Sequence, residues 1–202
     1  ALGAWVAEAP LPQAVYAHAF TAGENSLYVL GGYNGGPSDD AYYTLINADG
    51  SLAGWTAAPA LPEALYAASA YFGGNRLTLT GGYDGVSPKS AVRQAQVNGD
   101  GSLGAWTSGP ALPAAVYGHA TAYAPGALFV SGGNNGTLAR SAVLRGVLNA
   151  DGTVAYWDAM PSLPAARQAH LMFERGSRVC TLGGYDGLQA KADGACAAVT
   201  GT

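Results

Sequence analysis

Three histidines, His18, His119 and His170, are the only imidazoles in the chain. Three converging imidazoles form a zinc-type ligand set. The competing reading is a structural histidine hydrogen-bonded within each repeat. That reading is favoured, because all three hold equivalent positions. The two cysteines, Cys180 and Cys196, fall on neighbouring strands of one repeat. They pair as a disulfide, which belongs to an oxidising compartment, or stay as two buried thiols. No Cys-x-x-Cys spacing marks them as metal ligands. Asn47-Ala48-Asp49-Gly50-Ser51 recurs as Asn98-Gly99-Asp100-Gly101-Ser102 and Asn149-Ala150-Asp151-Gly152-Thr153. Oxygen ligands alternating before a glycine resemble the start of a calcium loop. The bidentate acid that closes such a loop is missing, and Asp-Gly between strands signals a hairpin. The turn reading is therefore preferred. There is no Gly-x-Ser-x-Gly elbow and no phosphate loop. The thirteen acids are scattered. No catalytic residue, metal or cofactor is expected.

The elements that carry these residues are repeats. Trp5, Trp55, Trp106 and Trp157 are spaced by 50, 51 and 51 residues. A Leu-Pro pair follows each: Leu11-Pro12, Leu61-Pro62, Leu112-Pro113 and Leu163-Pro164. Gly31-Gly32, Gly81-Gly82, Gly132-Gly133 and Gly183-Gly184 come later in the same phase. The whole chain is thus four copies of one unit. In the first copy, residues 16–21, 27–30, 41–46 and 52–56 read as strands. Gly, Asn, Asp and Pro clusters bound every run, and no helical period persists. Four short strands in about 50 residues describe a β-propeller blade.

These units resemble the kelch repeat. The resemblance rests on Gly-Gly closing the second strand, Tyr just after it, a spaced Trp before a Pro-containing loop, and His18, His119 and His170. It covers essentially the whole chain. Asn134 replaces the Tyr of the third copy, and Ala68 replaces the His of the second. The resemblance implies an all-β propeller of four four-stranded blades. The Trp strand is outermost, so the ring is closed by the N-terminal strand (Leu2-Gly3-Ala4-Trp5) pairing with the C-terminal blade. Residues 1–202 then form one domain, with units at about 6–56, 57–107, 108–158, and 159–202 plus 1–5. Three ring sizes fit: a four-bladed monomer, an eight-bladed ring shared by a homodimer, or part of a longer propeller. Small residues on the innermost strands, such as Ala67-Ala68-Ser69-Ala70, favour the small ring.

In kelch propellers the loops after Gly-Gly and after the Trp strand share one face. The first group carries Tyr33-Asn34, Tyr83-Asp84, Asn134-Asn135 and Tyr185-Asp186. The second leads into Tyr16, Tyr66, Tyr117 and Gln168, with Arg167 the only charge at its position. Tyr gives rigid contact area, and Asn/Asp give hydrogen bonds. Such a ring suits a glycan or a peptide, although Tyr can also pack between blades and Asn/Asp can shape turns. Copper-oxidase chemistry is not expected, since both cysteines align with framework positions.

Composition narrows the partners. Only 11% of the 202 residues are charged, the net charge is −4, and no basic run exists. Nucleic-acid binding is not expected. No apolar run reaches about 18 residues, so no helical membrane span is expected. A 49% hydrophobic content excludes disorder. The expectation is an exported, extracellular or cell-surface (or periplasmic) binding or scaffold module for a protein or glycan. A sugar mutarotase and a structural subunit of an extracellular assembly are the alternatives.

Overall fold

Glycine-bearing turns break each repeat into short runs rich in β-branched, aromatic and alternating apolar residues. Such runs pair with their sequence neighbours as antiparallel strands. The computed structural model describes residues 3–124 and 126–199. The first sheet holds β1 (Ala19–Ala22), β2 (Ser26–Leu30), β3 (Ala41–Leu45) and β4 (Thr56–Ala57). The second holds β5 (Ser69–Gly73), β6 (Arg76–Thr80), β7 (Val92–Gln96) and β8 (Thr107–Gly109). The third holds β9 (Ala120–Ala124), β10 (Ala127–Ser131), β11 (Val143–Leu148) and β12 (Val154–Met160). The fourth holds β13 (Leu171–Arg175), β14 (Arg178–Leu182) and β15 (Gly194–Ala198). The protein is all-β, with four antiparallel blades in a propeller arrangement.

Each blade packs on the next through apolar side chains. Ala19, Tyr28, Leu30 and Ala41 share a core with Leu61, Leu65, Leu77 and Leu79. Val92, Leu112, Val116 and Val130 fill the second interface, and Ala122, Ala124, Phe129 and Val179 the third. Four backbone hydrogen bonds fix the first interface. Gly32 N–H donates to the Leu65 carbonyl (2.8 Å), Leu65 N–H to Ser38 (2.9 Å), Leu61 N–H to Asp39 (2.8 Å) and Ala67 N–H to Ala17 (2.7 Å). The second interface repeats them from Gly82 to Val116, Val116 to Lys89, Leu112 to Ser90 and Gly118 to Ala67. The third repeats them from Gly133 to Arg167, Arg167 to Arg140, Leu163 to Ser141 and Ala169 to Gly118.

The inner-edge file Ala17, Ala67, Gly118 and Ala169 has φ between 50° and 60°. That left-handed conformation disfavours any residue with a Cβ, and alanine carries the smallest one. No return bond from Ala17 N–H to the Ala169 carbonyl is made. The bonded file therefore runs from the first blade to the fourth and stops.

The expected closure by the N-terminal strand is not seen among the described residues. Residues 3–10 form no strand, Trp5 is 95% exposed, and the fourth sheet has three strands. Leu2, part of that expected strand, lies outside the described residues. The described N-terminal segment is instead held by the first repeat. The Glu8 carboxylate accepts from Leu52 N–H (3.0 Å), and the Ala9 carbonyl accepts from the Trp55 indole (3.1 Å). Cys180 and Cys196 face each other across β14 and β15 and form a disulfide.

Candidate functional site

In every blade, the residue that ends the Pro-containing loop bridges the residue after Gly-Gly. The pairs are Tyr16 with Tyr33, Tyr66 with Tyr83, Tyr117 with Asn134, and Gln168 with Tyr185. The Gly-Gly turn makes this possible: Gly31 and Gly32 adopt φ of 58° and 109°, open to glycine but strained for other residues. The next blade then lays its own tyrosine on the previous pair. The outcome is one file of five rings. Centroid separations run 5.4 Å for Tyr16–Tyr33, 5.3 Å for Tyr33–Tyr66, 5.5 Å for Tyr66–Tyr83 and 5.1 Å for Tyr83–Tyr117. The planes are tilted by 47° to 81°, the edge-to-face range that aromatic quadrupoles prefer. Burial, followed by the neighbouring phenols, pushes the Tyr66 hydroxyl above its usual value. Asn134 ends the file. Tyr185 stands apart from it, donating its hydroxyl to the Gly187 carbonyl (3.0 Å).

Asn34 apart, the Asn and Asp neighbours are committed to their own loops. Asp84 accepts from Val86 and Ser87 N–H (2.8 and 2.7 Å) and pairs with Lys89. Asp186 does the same with Leu188, Gln189 and Lys191. The lysine contacts, reinforced by those amides, hold both carboxyls well below the usual range. Asn135 accepts from Thr137 and Leu138 N–H, and Asn134 from Gly136 N–H. Asn34 donates weakly to Gln13 (3.3 Å). These groups brace the loops. What the loops present outward is apolar: Val86, Leu138 and Leu188 are exposed. The spacing Asp84…Lys89, repeated in Asp186…Lys191, was the sequence signal of this bracing.

Arg167 does not reach the face. It is 0% exposed, and donates to the Gly183 carbonyl (2.9 Å), the Asp193 carbonyl (3.2 Å) and the Asp193 carboxylate (2.7 Å). Val15, Leu65 and Val116 fill the equivalent places. The guanidinium in turn holds Asp193 below its usual range. Removing one partner strands a buried cation, whereas replacing that cation by a hydrocarbon does not. Asp193→Ala is expected to destabilise the fold, because it leaves the buried Arg167 guanidinium without its carboxylate. Arg167→Leu combined with Asp193→Ala is expected to cost less than the single change. Urea titrations of both variants measure this. A double variant that is no more stable than Asp193→Ala refutes it.

Two of the three histidines, His119 and His170, bond across blades rather than within them, and the buried Nδ1 of His18 has no partner among the described residues. His119 Nε2 meets Thr80 Oγ1 at 2.8 Å, and His170 Nε2 meets Ser131 Oγ at 2.9 Å. Both hydroxyls belong to the preceding blade. Burial lowers each imidazole to about 4. These two rings are therefore spent between blades and do not converge as metal ligands. The Asp-Gly segments are turns: Asp49, Asp100 and Asp151 each accept from the N–H and hydroxyl two residues on.

A cleft of about 710 Å³ lies between the third and fourth blades, lined by Phe129, Val143, Met160, Pro161, Val179 and Val199 among others. At the two earlier interfaces the matching place is occupied. Trp106 donates its indole N–H to the Pro59 carbonyl and Trp157 to that of Pro110, both at 2.8 Å. No described residue of the fourth sheet places a Trp at Pro161. No protein-family model matches the chain, and no curated protein is similar to it.

Proposed function

We propose that the chain is a kelch-type repeat module, exported from the cell, which binds a protein or glycan without transforming it. The five-ring tyrosine file is its contact surface, and this file is the observation that carries the reading. Rigid aromatic side chains give large contact area at low entropic cost, which is why they dominate binding hot spots. The braced loops around them lose little freedom on binding. The Cys180–Cys196 disulfide supports export, since such bonds persist in oxidising compartments.

Tyr66 is the test position, because it touches both Tyr33 and Tyr83. A glycan array and a displayed peptide library are each probed with the unaltered chain. The ligands recovered are expected to bind Tyr66→Ala at least about tenfold more weakly. Tyr156→Ala, on the outer strand β12, is expected to leave them unchanged. Recovered ligands that are indifferent to Tyr66→Ala would remove the tyrosine file from the reading.

A further inference from the structure

We infer that the trailing face of the fourth blade docks one further blade of this same repeat, and that this blade carries a small residue where His18, His119 and His170 stand. Three independent observations converge on it.

The first is exposure. Leu171, Phe173 and Leu182 are 66%, 42% and 47% exposed. Leu171 faces Leu182 as Ala19 faces Leu30 in the first blade, where both are buried against the second blade. Isolated exposed leucines need no explanation, but Leu171 and Leu182, paired at positions that are buried in the first blade, do.

The second is the backbone. Each interface uses one Gly N–H and three carbonyls of the preceding blade. In the fourth blade these are Gly184 N–H and the carbonyls of Ala169, Lys191 and Ala192. None of the four has a protein partner among the described residues. A Cβ added at Gly31, Gly81 or Gly132 would strike the carbonyl of Leu65, Val116 or Arg167 in the following blade. At Gly183 no following-blade carbonyl stands there. The fourth blade thus carries the complete interface pattern, unoccupied by any described residue.

The third is a pairing rule. The residue before Gly-Gly is Leu30, Thr80, Ser131 and Leu182 in the four blades. Thr80 bonds His119 and Ser131 bonds His170. Leu30 instead shares the first core cluster with Ala68, the one blade without His. Hydroxyl matches His, and Leu matches Ala. Leu182 therefore fits a blade with a small residue. It mismatches His18, because an imidazole buried against leucine would lose its hydrogen bond. This disfavours the first blade, of the same chain or of a second copy, as the mate of the fourth.

The test extends the chain after Thr202 with a copy of residues 50–107. The copy supplies an outer strand for the fourth sheet and then a blade bearing Ala68. Exchange of the Gly184 amide is expected to slow at least about tenfold relative to the unextended chain. Ala68→His in the appended copy is expected to abolish that gain, and Leu182→Thr on the same background to restore it. Equal protection by the Ala and His extensions, or none by either, would overturn the proposal. So would a dimer of the unextended chain that Leu182→Glu dissolves, since a second copy would then occupy the face.

Discussion

Acidification from pH 6.5 to pH 4 is expected to remove on the order of 5 kcal/mol of stability, before the carboxylates contribute. The cause is the pair His119 and His170. Each has a folded-state value of about 4 against an ordinary 6.5, with burial as the largest cause. Between these values the unfolded chain binds protons that the folded chain refuses, so stability falls as pH falls. The hydrogen bonding explains the refusal. Thr80 gives its proton to the Ser69 carbonyl, so its oxygen accepts from His119 Nε2. The Nδ1 atoms of both rings are buried and have no partner. A second proton would create a buried, unmatched N–H on each. Asp84, Asp186 and Asp193 have lowered values, so their contribution is lost only at lower pH. Calorimetry should show the melting temperature falling by roughly 10 to 20 °C over this window. Thr80→Leu with His119→Ala rebuilds the Leu30–Ala68 pairing and should flatten about half of the slope. A melting temperature constant from pH 6.5 to 4 would refute the assignment.

Reduction of Cys180–Cys196 is expected to cost about 3 kcal/mol, the chain-entropy value for a loop of this size. The sequence separation is 16 residues, and the bond ties β14 to the edge strand β15. The loss should be local. The second blade is four-stranded and packed on both sides, whereas the fourth, among the described residues, is three-stranded and packed on one side. Hydrogen exchange is expected to accelerate in β13 to β15 of the Cys180→Ala, Cys196→Ala variant while β5 to β7 keep their protection. The melting temperature should fall by roughly 6 to 12 °C. Two free thiols by non-reducing mass spectrometry, or an unchanged melt, would contradict this.

The repeat was legible because it is written in backbone chemistry. Gly-Gly and Asp-Gly mark conformations that few other residues adopt, and Trp55, Trp106 and Trp157 lie in or just before the outer strands. Strand edges shifted where side-chain type was ambiguous. The run expected at 16–21 begins as a strand only at Ala19, with Tyr16 making a single bridge. The run at 52–56 is reduced to Thr56–Ala57 and a bridge at Leu52. Tyr16, Tyr33, Tyr66, Tyr83 and Tyr117 share a face, as their phase suggested. The roles of Asp84, Arg167 and the histidines were not legible, for one reason. Each depends on a partner fixed by local loop geometry or by the rotation from one blade to the next. His119 and Thr80 are 39 residues apart, and only the interface joins them. The Glu8 contact was illegible for the same reason, since it joins a side chain to the Leu52 amide 44 residues away.

The inner-edge file of Ala17, Ala67, Gly118 and Ala169 has a polarity. Among the described residues it begins at a spare donor and ends at a spare acceptor. Its two ends are unlike, so no two-fold axis can join like ends through these groups. Growth along it is head-to-tail, and such growth either closes when the step angle divides a full turn or continues without limit. Blade number is then a property of the angle between neighbours, not of any one blade. Duplicating a unit within a gene would insert a blade smoothly only where its leading residue suits the new neighbour. The Leu–Ala and hydroxyl–His matches would act as a splice code, accepting some duplications and rejecting others.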